Sequence, residues 1–416
     1  MAKIKSQTLK GFRDFLPEEM ALRQKVISLC REVFESFGFE PLETPTLEYA
    51  ETLLGKYGKE ADRLVYLFRD RGGRQVGLRY DLTVPTARVM AQYKNIPLPF
   101  KRYQMQLAYR AEKPQKGRYR EFWQCDIDTI GISSPLADAE IISLIYALFK
   151  KLRFKKFVTK INSRQVLFSL MEKASLPKEK ILTTLQSIDK LEKQGQAAVE
   201  QELKRKGLKP ETISQIFKEL PKLKPNQELE EIFGYLKGYG IPQDFCQFEP
   251  TLVRGLDYYT GAIYETVVTK PKIGSLTGGG RWDNLIGQFT GKSIPATGTT
   301  IGLERIIDVI RELKLWPDLS PTPTRVLVTV FSSRYLENSI EMVGRLREKG
   351  IPAELFLEPE TRLDKQLKYA DKKGIPYAVI IGPDEVKAKL AGLKNLKTGK
   401  QESLSPEKVI QKINPN

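Results

Sequence analysis

Two strand-like runs, FKRYQMQLAYR (100–110) and REFWQCDIDTIG (120–131), stand either side of a basic segment, AEKPQKGRY. Side chains alternate between the two faces of a strand. On the second run Gln124, Asp126 and Asp128 therefore point one way, while Cys125, Ile127 and Thr129 point the other. Three polar groups on one face of a core strand are expensive to bury unless they line a site with something to bind. The carboxylate pair could instead hold a metal ion, in a secondary role.

The elements around this pair restrict the fold further. From Leu22 to Phe37 the apolar positions 22, 26, 29, 30, 33, 34 and 37 recur at helical spacing, and Gly38 follows where a helix cap belongs. FEPLETPTLE (39–48) reads as extended chain, and VYLFRDRGGRQVGLR as a hairpin turning at Gly72-Gly73. PLADAEIISLIYALFKKL (135–152) is the next strong helix. Strands followed by helices, without βαβ alternation, predict an α+β class: an antiparallel sheet with helices packed on it. Residues 170–240 are rich in Lys, Glu, Gln and Leu, with breaks at LPKEK, GLKPE and KPNQE, and read as a helical insertion within one sheet domain. LWPDLSPTPTR (315–325) is a linker, and the alternation of strands and helices beyond it predicts a small α/β domain with a partly parallel sheet. The expected domains are 1–320 and 325–416, within what 416 residues can support.

Net charge is +17, which suits a polyanionic partner. Residues 325–416 carry 17 Lys/Arg against 12 Asp/Glu, a modest excess. Lys101 to Arg120 carries seven basic residues against one acidic, interleaved with Tyr103, Tyr109 and Tyr119, which suggests a loop aimed at phosphates. The N-terminus has no apolar segment of the kind that directs secretion, and no apolar run is long enough to cross a bilayer. Cys30, Cys125 and Cys246 are widely spaced, which argues against a disulfide framework or a zinc site and for a reducing cytoplasm. The chain contains no histidine, so its chemistry must run without an imidazole base.

Familiar phosphate cradles are missing. GQFTGKS (287–293) has three residues between its glycines where the Walker loop has four, and LTGGGRWDNLIG lacks the dinucleotide spacing. Nucleotide binding would have to use arginines on a sheet. YRAE (109–112) places Arg110 and Glu112 on one face if the strand continues, and IGLERI (301–306) brings Arg305 after a glycine-rich approach. These two fragments resemble the second and third signature motifs of class II aminoacyl-tRNA synthetases, and FGFEPLETPTLE resembles the first. LVRGLDYYTG (252–261), YDLTVP (80–85) and EKPQKGRYREFWQCDID together resemble the histidyl-tRNA synthetase family, from GFRDFLP at 11–17 to the C-terminal domain.

The resemblance implies a class II antiparallel sheet flanked by helices, a helical insertion and a C-terminal α/β anticodon-binding domain. It implies a homodimer acting on L-histidine, ATP with Mg2+ and histidine tRNA; with the cysteine spacing and the absence of a long apolar run, no zinc, no metal site made by protein alone and no membrane are expected. Arg254 and Arg110 are the implied catalytic cations. Asp81, Leu82, Thr83, Arg110, Gln124, Asp128, Arg254, Tyr258 and Tyr259 are the implied histidine site, with Asp128 and Tyr259 on the imidazole and Asp81, Thr83 and Gln124 on the α-ammonium group. Arg110, Glu112, Arg118 and Arg305 are implied for ATP, and Gln115 and Lys116 for tRNA. The family often has a glutamate where this chain has Asp128; the shorter aspartate would need a closer approach or a water. A second reading, a non-catalytic synthetase-like regulatory subunit of ATP phosphoribosyltransferase, shares the fold but tends to lose Arg254, Arg305, the basic loop and the C-terminal domain.

Overall fold

The computed structural model describes residues 5–54, 64–114, 119–253 and 258–414. The chain divides into two compact units, Met1–Asp14 with Val26–Leu315, and Phe15–Lys25 with Trp316–Asn416.

The first unit is organised by an eight-stranded sheet. Its strands are β1 (Glu40–Pro41), β5 (Phe100–Tyr109), β6 (Glu121–Ile130), β7 (Val158–Ser163), β8 (Cys246–Phe248), β9 (Ala262–Val267), β10 (Thr277–Arg281) and β11 (Ala296–Ile301), in spatial order β1-β5-β6-β11-β10-β9-β7-β8. All central pairs are antiparallel; only the two edge pairs, β1 with β5 and β7 with β8, run parallel. A separate three-stranded sheet is formed by β2 (Leu47–Tyr49), β4 (Gln75–Leu78) and β3 (Tyr66–Arg69), with the β3–β4 turn closed by Gly73 N–H on the Asp70 carbonyl at 3.0 Å.

Local signals explain the flanking helices. The helix Pro17–Ser36 ends as its apolar spacing predicts, at Gly38 with φ 76°, a left-handed position that favours glycine. Helix Pro135–Lys151 is capped by Ser134, whose hydroxyl accepts from the Leu136 N–H, and Pro135 occupies its first turn. Its buried Asp138 pairs with Arg281 of β10 and accepts from Thr297 of β11, tying the helix to the back of the sheet. Between β7 and β8 the chain forms the helices Arg164–Lys173, Lys178–Ile188, Leu191–Gln194, Gln196–Arg205, Pro210–Glu219 and Gln227–Gly238. They bury Leu167, Leu185, Leu203 and Ile216 in one cluster with Tyr259, Ile263 and Trp282, so the insertion shares its core with the sheet.

The second unit holds the sheet β13-β12-β14-β15-β16, formed by β12 (Val326–Val328), β13 (Ala353–Leu355), β14 (Tyr377–Ile380), β15 (Ala391–Asn395) and β16 (Gln401–Leu404). Its first three neighbours are parallel and the rest antiparallel, and Val326, Val328, Leu346, Val379 and Val409 form its core.

Candidate active site

Cross-strand register assembles the site. Opposed residues of an antiparallel pair share a face. On β5 and β6 these are Arg102 with Asp128, Gln104 with Asp126, and Gln106 with Gln124. On β11 Gly298 lies opposite Asp128 and Thr300 opposite Asp126, and Gly280 of β10 lies opposite Gly298. One face of the central sheet is thus a polar platform bordered by glycines. The predicted row of Gln124, Asp126 and Asp128 lies on it, and all three are buried.

Most of the polar atoms here are engaged by neighbours. Asp128 Oδ1 accepts from Trp282 Nε1 at 3.1 Å, and its Oδ2 pairs with the Arg102 guanidinium. Arg102 Nη1 donates to Gln104 Oε1 at 3.2 Å, and Gln104 Nε2 donates to Thr44 Oγ1 at 2.7 Å. Gln124 Nε2 donates to Asp126 Oδ2 at 2.9 Å. Gln124 Oε1 and Asp126 Oδ1 are buried and have no hydrogen-bond partner among the described residues, and Asp128 Oδ2 has the ion pair alone. An unpaired buried acceptor costs about 1–3 kcal/mol, so such a pair is matched to a ligand that brings donors. Asp128 already faces an indole N–H and a guanidinium, and the described residues gather no group of three metal-ligating side chains.

Asp81 Oδ1 accepts from the Val84 N–H at 3.1 Å, at the start of helix Thr83–Gln92, and Leu82 and Thr83 are buried beside it. Arg110 Nε donates to the Tyr80 carbonyl at 3.2 Å, and its guanidinium lies 4.9 Å from the Phe122 ring centre. These groups form one electrostatic cluster. Burial pushes Asp81 up to about 6, against the pull of Arg110 and Arg102, and Asp126 adds to the rise. Burial also pushes Asp128 up to about 7, opposed by Arg102 and reinforced by Asp126 and Asp81. Asp126 is raised by burial, with Arg102 and Arg110 pulling it down. Two buried carboxylates on the platform and a third coupled to them demand cationic partners, and a ligand ammonium group would be one.

Tyr258 and Tyr259 pack ring against ring, 4.6 Å between centres. Tyr259 is buried under Gly280, where a Cβ would come 3.0 Å from its ring and 2.4 Å from the Ala262 carbonyl. Arg305, on helix Leu303–Glu312, donates to the Ser275 carbonyl at 2.7 Å and packs against Gly274. Arg254, Gln115, Lys116 and Arg118 lie outside the described residues.

The structure also corrects the sequence reading. β5 ends at Tyr109, so Arg110 and Glu112 do not share a strand face; Glu112 sits in a bend and its carbonyl accepts from Arg120 Nε at 3.1 Å. The basic run is partly spent inside the fold. Arg102 is buried against Asp128, Lys101 Nζ reaches the Phe37 carbonyl and Glu140, and Arg120 Nη1 binds the Lys10 carbonyl. Arg102, Gln104, Trp282 and Gly298 belong to the site and were missed, because only register reveals them. A surface groove lined by Gln196, Lys204, Ile213 and Phe217 lies on the insertion and contains none of these residues.

An antiparallel platform that presents buried carboxylates and arginines, followed by a small α/β domain, is the architecture of a class II aminoacyl-tRNA synthetase. The family model of histidyl-tRNA synthetase matches residues 11–306, and that of an anticodon binding domain matches 325–416. A protein of Clostridium tetani named histidine–tRNA ligase is 39% identical, covering 99% of this chain and 98% of its own length. One of the same name from Aeropyrum pernix is 42% identical, with 90% of each chain covered. The crystal structure of histidyl-tRNA synthetase from Nostoc sp. PCC 7120 is 31% identical and superposes with a TM-score of 0.87 over 99% of this chain and 100% of that one. The chain belongs to the histidyl-tRNA synthetase family.

Proposed function

We propose that this chain ligates L-histidine to the 3′ end of histidine tRNA in two ATP-dependent steps. The histidine carboxylate attacks the α-phosphorus of ATP, forming a new P–O bond and expelling pyrophosphate. The tRNA 3′-hydroxyl then attacks the acyl carbon and releases AMP. The carboxylate is already ionised, and the hydroxyl proton can pass to a phosphate oxygen of the adenylate, so neither step needs an imidazole base. Negative charge gathers on the phosphoryl oxygens, and fixed cations placed there lower the barrier. Arg110 is one such cation and Arg254 the second, with Glu112, Arg118 and Arg305 serving ATP, whose phosphates carry the Mg2+. Gln115 and Lys116 serve the tRNA.

One observation carries this reading: the buried acceptors Gln124 Oε1 and Asp126 Oδ1 stand in line with Asp128 on the platform. A ligand ammonium group beside Gln124 and Asp126 supplies donors to these acceptors, and a ring N–H at the ligand's other end reaches Asp128. Asp81, Thr83 and Gln124, with Leu82 beside them, take the ammonium group; Asp128 and Tyr259, with Tyr258 behind, take the imidazole, which offers one donor and one acceptor. Residues 1–320 carry the activation chemistry and 325–416 read the anticodon. Charging tRNA for translation would place the chain in the cytoplasm.

The chain would act as a homodimer. In the three-stranded sheet, Leu47, Tyr49, Tyr66, Phe68, Val76 and Leu78 share one face, and Leu47, Tyr49 and Phe68 are exposed on it. A second copy of the chain is the partner that would cover such an apolar face.

Pyrophosphate exchange into ATP, run with each amino acid in turn and followed by charging of histidine tRNA, tests the proposal. Exchange with histidine alone is expected. No exchange with any amino acid would support the regulatory-subunit reading, and exchange with a different one would reassign the substrate.

A further inference from the structure

Asp128 is held more tightly than imidazole binding alone requires. Its carboxylate leans over β11, where a Cβ on Gly298 would lie only 1.9 Å from Oδ1. In that position it meets one cation and one hydrogen-bond donor from different parts of the chain. Arg102, fully buried on β5, lies directly opposite it in register and pairs with Oδ2. Trp282, just beyond β10, donates to Oδ1 at 3.1 Å. Neither group is free to wander. Trp282 is packed in the apolar cluster with Tyr259, Ile263, Leu285 and Ile286. Arg102 is steadied by Gln104, itself anchored on Thr44.

The terminal torsion of an aspartate is broad and poorly fixed by its own rotamer preferences. A carboxylate offers about four lone-pair sites, and the indole N–H takes one, so sites remain for a ligand beside the ion pair with Arg102. Aspartate is also one methylene shorter than glutamate, so its reach must be set by its surroundings.

We infer that Arg102 and Trp282 are positioning residues that clamp the Asp128 carboxylate in one orientation and so make it selective for a side chain carrying a ring N–H. The clamp rests on the assignment of Asp128 to the imidazole. It adds two residues to the determinants of amino-acid choice, and neither needs to touch the substrate. An unclamped carboxylate would still attract cations, but it would lose its preference for a donor at one place and angle.

The test is a double-mutant cycle on the full chain in pyrophosphate exchange, with wild type, Trp282→Phe, Asp128→Asn and the double variant. Trp282→Phe removes the N–H and should raise the histidine KM roughly fivefold to tenfold, leaving the ATP KM and kcat near wild type. Arg102→Lys, which keeps the charge and loses the fork, should show the same selectivity. The double variant should be no worse for histidine than Asp128→Asn alone, because the two changes remove one interaction. Should Trp282→Phe unfold, the sulfur analogue of tryptophan (benzothienyl-alanine) at 282 keeps the volume and deletes only the N–H. Independent, multiplying losses, or equal increases in both KM values, would overturn the clamp. An unchanged histidine KM in Asp128→Asn would overturn the parent assignment, and the clamp with it.

Discussion

Asp128→Asn is the sharpest single perturbation of the site. The change keeps shape and volume but replaces a carboxylate by an amide. The Asp128 carboxylate accepts from the Trp282 N–H and pairs with the Arg102 guanidinium, and the imidazole N–H would be a further donor when histidine binds. An amide has one acceptor oxygen, and its NH2 group must then face a donor. Losing a charge-assisted hydrogen bond to the ligand costs about 1.5–3 kcal/mol. At 1.36 kcal/mol per decade that is about a 10- to 150-fold rise in the histidine KM. The same change leaves Arg102 as a buried cation without its counter-charge, which costs about 3–5 kcal/mol of stability. The assay is pyrophosphate exchange at a temperature where urea titration shows the variant to be folded, with histidine and ATP varied separately. Equal rises in both KM values, or no rise for histidine, would refute the reasoning.

Four further outcomes are expected. Gly298→Ala places a Cβ 1.9 Å from Asp128 Oδ1 and 2.4 Å from the Ile127 carbonyl, so it should lower the unfolding free energy from urea titration by at least the about 1–3 kcal/mol typical of overpacking. Asp81 and Asp128, raised to about 6 and about 7, hold protons more tightly folded than unfolded; their contribution to ligand-free stability is complete below the ordinary value of 3.8 and is lost as pH rises through 6 and 7. Thermal melts from pH 5 to 8 should therefore slope less steeply in Asp128→Asn than in wild type. Tyr49→Glu with Phe68→Glu should leave a monomer in sedimentation, since both side chains are exposed on the apolar face. Finally, a message without histidine codons cannot stall for want of charged histidine tRNA, so this chain should keep accumulating under histidine starvation while histidine-containing controls stop.

Much of this was legible in the sequence, for identifiable reasons. The helix before Gly38, the turn at Gly72-Gly73, the helix after Ser134 and the polar row of β6 all follow from short-range periodicity and turn chemistry. What periodicity does not carry is which residue faces which across two strands. Arg102 looked like one member of a basic run aimed outward, yet register sets it opposite Asp128 in the core. Trp282 follows a glycine run that carries no sign of a partner; its N–H finds Asp128 only once β10, β11 and β6 are paired. Glu112 failed for a different reason. Alternation holds only while a strand lasts, and β5 stops at Tyr109.

The helical insertion leaves the sheet at Ser163 and returns at Cys246 on a strand parallel to the one it left, with Thr159 beside Cys246. A tight reverse turn joins antiparallel neighbours but cannot link parallel ones, which need a dozen or more residues to travel back along the strand. Anyone trimming this protein to a minimal catalytic body must therefore design a replacement bridge of that length, or give up the last strand of the sheet.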